Sequence, residues 1–263
     1  MKNMKNILIS AISFVNSERE GSEIYTTFAK RLITDVLTKT PYDVMISTNQ
    51  SKYFVDEINN NPDRVIIREY GLENHKTHVG AFNQLLKFYA INDVDKKYDW
   101  VLYLDCDAGL TDEVNVNTID SKINEWESNG FDMLVLLANR TYEWAENEYM
   151  ETVKNNSLKK LFDNKFIFYG VNPEWRKATL PSEHILLIKN NDKLPVMCDE
   201  FEKFCTKFET QDPNNVITFD MESFEIGISA LIAGYNVGEI SWGNQCEIFK
   251  VGFNYNNWEK IKR

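Results

Sequence analysis

The sequence predicts an α/β protein: a Rossmann-type mixed sheet flanked by helices. Three observations predict it. The run Ile7-Leu8-Ile9-Ser10-Ala11-Ile12-Ser13-Phe14 is apolar enough to be a buried parallel strand. After it, Ile24, Phe28, Leu32 and Val36 step by four, the spacing of a helix face, and Pro41 precedes a second short strand, Asp43 to Thr48. Strand, helix and strand at this spacing make one half of an open βαβ sheet. The third observation is Trp100-Val101-Leu102-Tyr103-Leu104, a buried strand that runs straight into Asp105-Cys106-Asp107.

In an extended segment, residues i and i+2 point to the same side. Asp105 and Asp107 are therefore expected to face one spot past the strand's end, where open α/β sheets bind ligands. Two hard oxygen ligands on one spot suit Mg²⁺ or Mn²⁺. A plain alternative is that the two aspartates only turn the chain.

The remaining elements follow in order. Tyr53 to Asn59 reads as a short helix, and Arg64 to Glu69 as a strand whose terminal charges suit an edge. Val79, Phe82, Leu86 and Tyr89 mark a helix, with Asn83 and Lys87 on its more polar face. The chain is expected to turn through Ala108-Gly109-Leu110. A helical stripe of Val116, Ile119, Ile123 and Trp126 leads to a strand, Phe131 to Ala138. Arg140, Tyr142 and Trp144 follow it, either as a sugar or acceptor platform or as a lid on the core. Glu148 to Phe162 reads as a helix, Lys165 to Gly170 as a strand, Glu183 to Asn190 as a strand and Leu194 to Phe208 as a helix. A last helix has Phe224, Ile228 and Leu231 on its apolar face, with Asp220, Glu222 and Glu225 at its start. Acids there oppose the helix dipole. Three in six residues also fit a carboxylate that orients and deprotonates a hydroxyl.

Bulk properties narrow the function classes. With 263 residues there is room for one large domain or two small ones, and no linker or repeat divides the chain. The net charge of −11 disfavours non-specific nucleic-acid binding. No stretch is long and apolar enough to span a bilayer, and the N-terminal run reads as a strand, not a signal peptide. The four cysteines lack CxxC spacing, so a zinc site or disulfide framework is not expected and a bacterial or viral-host cytoplasm fits. His75 and His78 lie in a loop-like stretch with no third ligand beside them. There is no Gly-x-Gly-x-x-Gly and no Gly-Lys-Ser/Thr phosphate loop.

Leu104-Asp105-Cys106-Asp107, after its apolar strand, resembles the DxD motif of GT-A-fold glycosyltransferases. The resemblance implies a GT-A-like single domain over residues 1–263, with 1–107 as the nucleotide-binding half and 108–263 as the acceptor-binding half. It implies transfer of a sugar from a nucleoside-diphosphate sugar to a hydroxyl acceptor, with Mn²⁺ or Mg²⁺ at Asp105 and Asp107. Asp105 would also reach the ribose. Ala11, Ile12 and Ser13 would contact the base, although core packing also accounts for Ile12. Lys87, Asn83 or His78 would reach the nucleotide-sugar, or else lie on a solvated helix face. Lys250 would close over the diphosphate, or else belong to a solubilising tail. The stretch with Asp220 and Glu222 resembles the acceptor-side Asp-Glu-Ser of retaining, blood-group-type transferases, with Glu222 as the key glutamate. Met221 separates the two acids here, and that family's flanking histidines are absent. No histidine follows His184, so either the ion has the aspartate pair with phosphates and water, or Asn244 or another oxygen helps. Other classes remain open: a sugar-phosphate nucleotidyltransferase, which normally has a Gly-rich loop after the first strand; a non-catalytic carbohydrate-binding protein; or, for the acceptor, a glycan or a hydroxymethylated base in phage DNA.

Overall fold

The computed structural model describes residues 4–15, 23–70, 91, 92, 94–136, 141, 158–211, 223–240 and 251–253. Nine strands and six α-helices occur among them. The strands are β1 (Ile7–Ser13), β2 (Asp43–Thr48), β3 (Val65–Glu69), β4 (Trp100–Leu104), β5 (Ala108–Leu110), β6 (Met133–Leu136), β7 (Ser182–Lys189), β8 (Val237–Glu239) and β9 (Val251–Phe253). The helices are α1 (Ile24–Lys39), α2 (Val55–Asn60), α3 (Val116–Ser128), α4 (Leu158–Tyr169), α5 (Lys193–Gln211) and α6 (Ser223–Ile232).

Seven strands form one mixed sheet in the order β3-β2-β1-β4-β7-β6-β8. β1, β2, β3 and β4 run parallel, β7 lies antiparallel to both β4 and β6, and β8 is parallel to β6. The apolar runs decide who sits where. Every residue of β1 and of β4 is buried, and these strands occupy the middle. β3 ends in Arg68-Glu69, is buried only at Val65, and takes the edge that its charges suggest.

Alternation along the strands builds two cores, one on each face. Leu8, Met45, Val101, Tyr103, Val135 and Leu186 share one with Met197 and Phe201 of α5 and Phe224 and Ile228 of α6. Ile9, Val44, Leu102, Leu104 and Leu187 share the other with Phe28, Leu32 and Val36 of α1 and Ile119 and Ile123 of α3. Each such side chain contributes about 1.5–3 kcal/mol by leaving water. The start of α3 is capped by Asn115, whose Oδ1 accepts from the N–H groups of Asn117 and Thr118 at 3.0 and 3.3 Å.

Two expectations are corrected. Lys165 to Gly170 is not a strand but the last turns of α4, closed by Gly170 at φ 66°. The aromatic alternation there is compatible with either period. Lys165, Phe166 and Tyr169 are buried on one helical face, and Ile167 is 80 % exposed. The helix expected over Glu148 to Phe162 thus continues through the supposed strand, with residues before 158 outside the described ones. Ala108-Gly109-Leu110 is likewise no simple turn. It is β5, paired antiparallel with β9, with Ala108 opposite Phe253 and Leu110 opposite Val251.

A fully buried ion pair ties α4 to α6. Lys165 Nζ donates to both oxygens of Glu225, at 2.8 and 3.0 Å, and Tyr169 Oη donates to Glu225 Oε1 at 2.9 Å. Burial pushes the Glu225 carboxyl up, and Lys165 opposes this. Of the three acids near the start of α6, Glu225 is therefore structural.

Candidate functional site

β4 stops at Leu104, and the ladder to β7 continues one step further. The Asp105 N–H donates to the His184 carbonyl at 3.1 Å. The Ala108 N–H then donates to the Asp105 carbonyl at 2.9 Å, closing a β-turn over Cys106 and Asp107. The extended geometry expected for the two aspartates is thus replaced by a tight turn. The turn has the same consequence of keeping both carboxylates at the strand's end. Cys106, 5 % exposed, is the turn's anchor in the core. Its thiol is pushed well up by burial, then by the Asp105 and Asp107 charges.

Both carboxylates are half-buried and close enough to repel. Burial raises the Asp107 carboxyl above the ordinary range, and Asp105 raises it further; His184 and Arg31 pull the other way. No side chain among the described residues hydrogen-bonds the Asp107 carboxylate. Its main chain is fixed instead: Arg31 Nη2 donates to the Asp107 carbonyl at 2.7 Å and to the Ala108 carbonyl at 3.3 Å. Lys39, two turns further along α1, donates to the Leu110 carbonyl at 2.6 Å. α1 lies so close to β5 that a Cβ on Gly109 would sit 2.9 Å from Asp35 Oδ2.

Asp105 is held differently. Its Oδ1 accepts from Tyr103 Oη at 3.2 Å, and its Oδ2 lies 2.5 Å from His184 Nδ1. Tyr103 reaches it because i and i+2 share a face of the strand. His184 reaches it because β7 runs backwards, so the start of β7 meets the end of β4.

The neighbouring ends of β1 and β2 are polar. Ser13 pairs with Thr48, and Ile12 with Ser47. The hydroxyls of Ser13 and Ser47 are buried with no hydrogen-bond partner among the described residues. Asn49 clamps the chain just beyond β1: its Oδ1 accepts from the Val15 N–H at 3.0 Å and its Nδ2 donates to the Val15 carbonyl at 2.8 Å. Ala11 and Ile12 are buried in the two cores on opposite faces of the sheet. Of the three expected base contacts, only Ser13 presents a polar group there.

Asn83, Lys87, Asp220, Glu222 and Lys250 lie outside the described residues, as do His75, His78, Arg140, Tyr142, Trp144 and Asn244. Asp105, Asp107 and Ser13 are placed at the carboxyl ends of adjacent strands, β4 and β1. His184, Tyr103 and Arg31 were missed from the sequence. Only the direction of β7 would have revealed His184.

The donor set tests whether a cation fits. Among the described residues no three His, Cys, Asp or Glu side chains are gathered to enclose a metal. Two crowded carboxylates, one of them raised by burial and by its neighbour, suit instead a hard cation that takes its other ligands from water and phosphate. No helix among the described residues is long and apolar enough to cross a membrane. Compared with known proteins, the chain matches no family model, and no curated protein is significantly similar to it.

Proposed function

We propose that this chain is a divalent-metal-dependent glycosyltransferase of the GT-A type, moving a sugar from a nucleoside-diphosphate sugar to a hydroxyl acceptor. The observation that carries the reading is the crowded Asp105–Asp107 pair in the turn after the central strand β4. Burial and then the Asp105 charge raise the Asp107 carboxyl, and a bound cation would favour both carboxylates in their charged form. The return of the chain as antiparallel β7 directly beside the DxD strand supports the same reading. So do the buried hydroxyls of Ser13 and Ser47, without a hydrogen-bond partner among the described residues, one on each face of the sheet at the carboxyl ends of β1 and β2, the end where a base and ribose would bind.

Asp107 and Asp105 would hold Mn²⁺ or Mg²⁺. When bound, the ion would supply Lewis-acid neutralisation of the departing diphosphate. Arg31 keeps the Asp107 main chain in place, and Asn49 keeps the loop after β1 in place. On this reading one domain spans residues 1–263, and Glu222, with Asp220, faces the acceptor from the segment before α6. Glu225 has no such role, because Lys165 and Tyr169 occupy it.

Thermal-shift measurements with a panel of nucleotide-sugars, each with and without Mn²⁺, test the reading. One donor should raise the melting temperature only when Mn²⁺ is present. Saturation at 100 times Kd corresponds to about 2.7 kcal/mol. Asp107→Ala should abolish that shift and any metal-dependent transfer while keeping the apo melting temperature. A full shift and full activity in Asp107→Ala would refute the assignment.

A further inference from the structure

We propose that His184 is a positioning residue for Asp105, locking this carboxylate in the orientation in which it shares a cation with Asp107. The inference rests on the metal-site reading above. It is carried by three observations. The main-chain bond from Asp105 to the His184 carbonyl, 3.1 Å, fixes the two backbones side by side. The ring then meets the carboxylate through Nδ1 and Oδ2 at 2.5 Å. The second carboxylate oxygen accepts from Tyr103 at 3.2 Å.

These two contacts, one on each carboxylate oxygen, fix the plane of the group. Asp107 is the complement. Its backbone is pinned by Arg31, and its carboxylate has no side-chain hydrogen bond among the described residues. The pair therefore consists of one oriented carboxylate and one that is free to close on the ion. Groups that orient a ligating carboxylate typically change metal affinity about 10–100-fold when removed.

The test uses the full chain and Mn²⁺ alone, followed by the loss of the free-ion electron paramagnetic resonance signal. His184→Ala should weaken Mn²⁺ binding about 10–100-fold with the apo melting temperature little changed. His184→Asn places an amide N–H near the Nδ1 position and should restore most of the affinity, which a merely structural role would not predict. Tyr103→Phe should give a smaller loss. Wild-type Mn²⁺ affinity in His184→Ala, with binding abolished in Asp107→Ala, would overturn the role of His184 and leave the metal site standing. Absence of Mn²⁺ binding by the wild-type chain, with and without nucleotide-sugars, would overturn both.

Discussion

Arg31 on α1 holds the main chain of Asp107: its Nη2 donates to the Asp107 carbonyl at 2.7 Å, and to the next carbonyl, Ala108, at 3.3 Å. Besides its main-chain hydrogen bonds and the contacts to the Asp105 carboxylate, the turn after β4 is restrained by the Cys106 side chain in the core and by this guanidinium over the carbonyls. A hydrogen bond from a charged donor contributes about 1.5–3 kcal/mol. Arg31→Ala should therefore lower stability by about that amount and weaken Mn²⁺ binding, although Arg31 makes no hydrogen bond to either carboxylate. Arg31→Lys should recover part of the stability but lose the two-carbonyl geometry. Urea midpoints and Mn²⁺ titration on both variants check this. Unchanged metal binding in Arg31→Ala would show that the turn holds its shape without α1.

Lys165 and Glu225 are both fully buried. Removing one partner strands the other charge in the core, a loss of about 3–5 kcal/mol. Lys165→Met should show that loss in denaturant melts, while Lys165→Met combined with Glu225→Gln should lose much less than the two single variants added together. Strict additivity would mean that the two residues do not act as a pair.

The parts of the fold that were legible from sequence are those set by one strong local pattern. β4 is an unbroken apolar run, β1 and β2 are largely apolar ones ending in Ser or Ser-Thr, and β2 and β4 match their expected bounds to the residue. α1 carries a stripe at steps of four, and α3 one at steps of three, four and three, both the spacing of a helix face. Segment 165–169 failed because Phe166 and Phe168 fit a period of two while Phe166 and Tyr169 fit the helical spacing of three; the deciding fact is the partner of Lys165, sixty residues away in sequence. β5 failed because three small or apolar residues carry no pattern of their own and become a strand only against β9. The two aspartates were legible as a pair from their place after β4. His184 was not, because its meeting with Asp105 depends on β7 running antiparallel, and a strand's direction is not written in its own residues.

Gly227 faces the backbone of the segment before β7. A Cβ there would lie 1.9 Å from the Thr179 carbonyl oxygen and 3.0 Å from its carbon. Neither is the end of a flexible side chain, so Gly227→Ala must push α6 away from that segment. Overpacking of this kind costs about 1–3 kcal/mol or more. The intrinsic helix preference of alanine over glycine, about 1 kcal/mol, works in the opposite direction and should be outweighed. Chemical denaturation of Gly227→Ala should give a clearly lower midpoint; a higher one would mean that the close approach is not made.

Glu127, near the end of α3, gathers three donors: Lys5 Nζ at 2.7 Å, Lys189 Nζ at 3.0 Å and Trp100 Nε1 at 3.3 Å. It thereby links the chain before β1 to the start of β4 and the end of β7. Burial alone would raise its carboxyl, but the hydrogen bonds from Lys5 and Lys189 outweigh that and hold it below the ordinary glutamate value of 4.5. A carboxyl lowered in the folded state contributes stability above its unfolded value, and the contribution disappears as pH falls through the folded one. The wild-type chain should therefore exceed Glu127→Gln in stability at pH 7. The gap should close as the pH is taken below 4.5 and through the depressed value. Urea midpoints of both proteins across that range check it. A gap that stays constant with pH would mean that the network contributes through packing and neutral hydrogen bonds, not through the charge on Glu127.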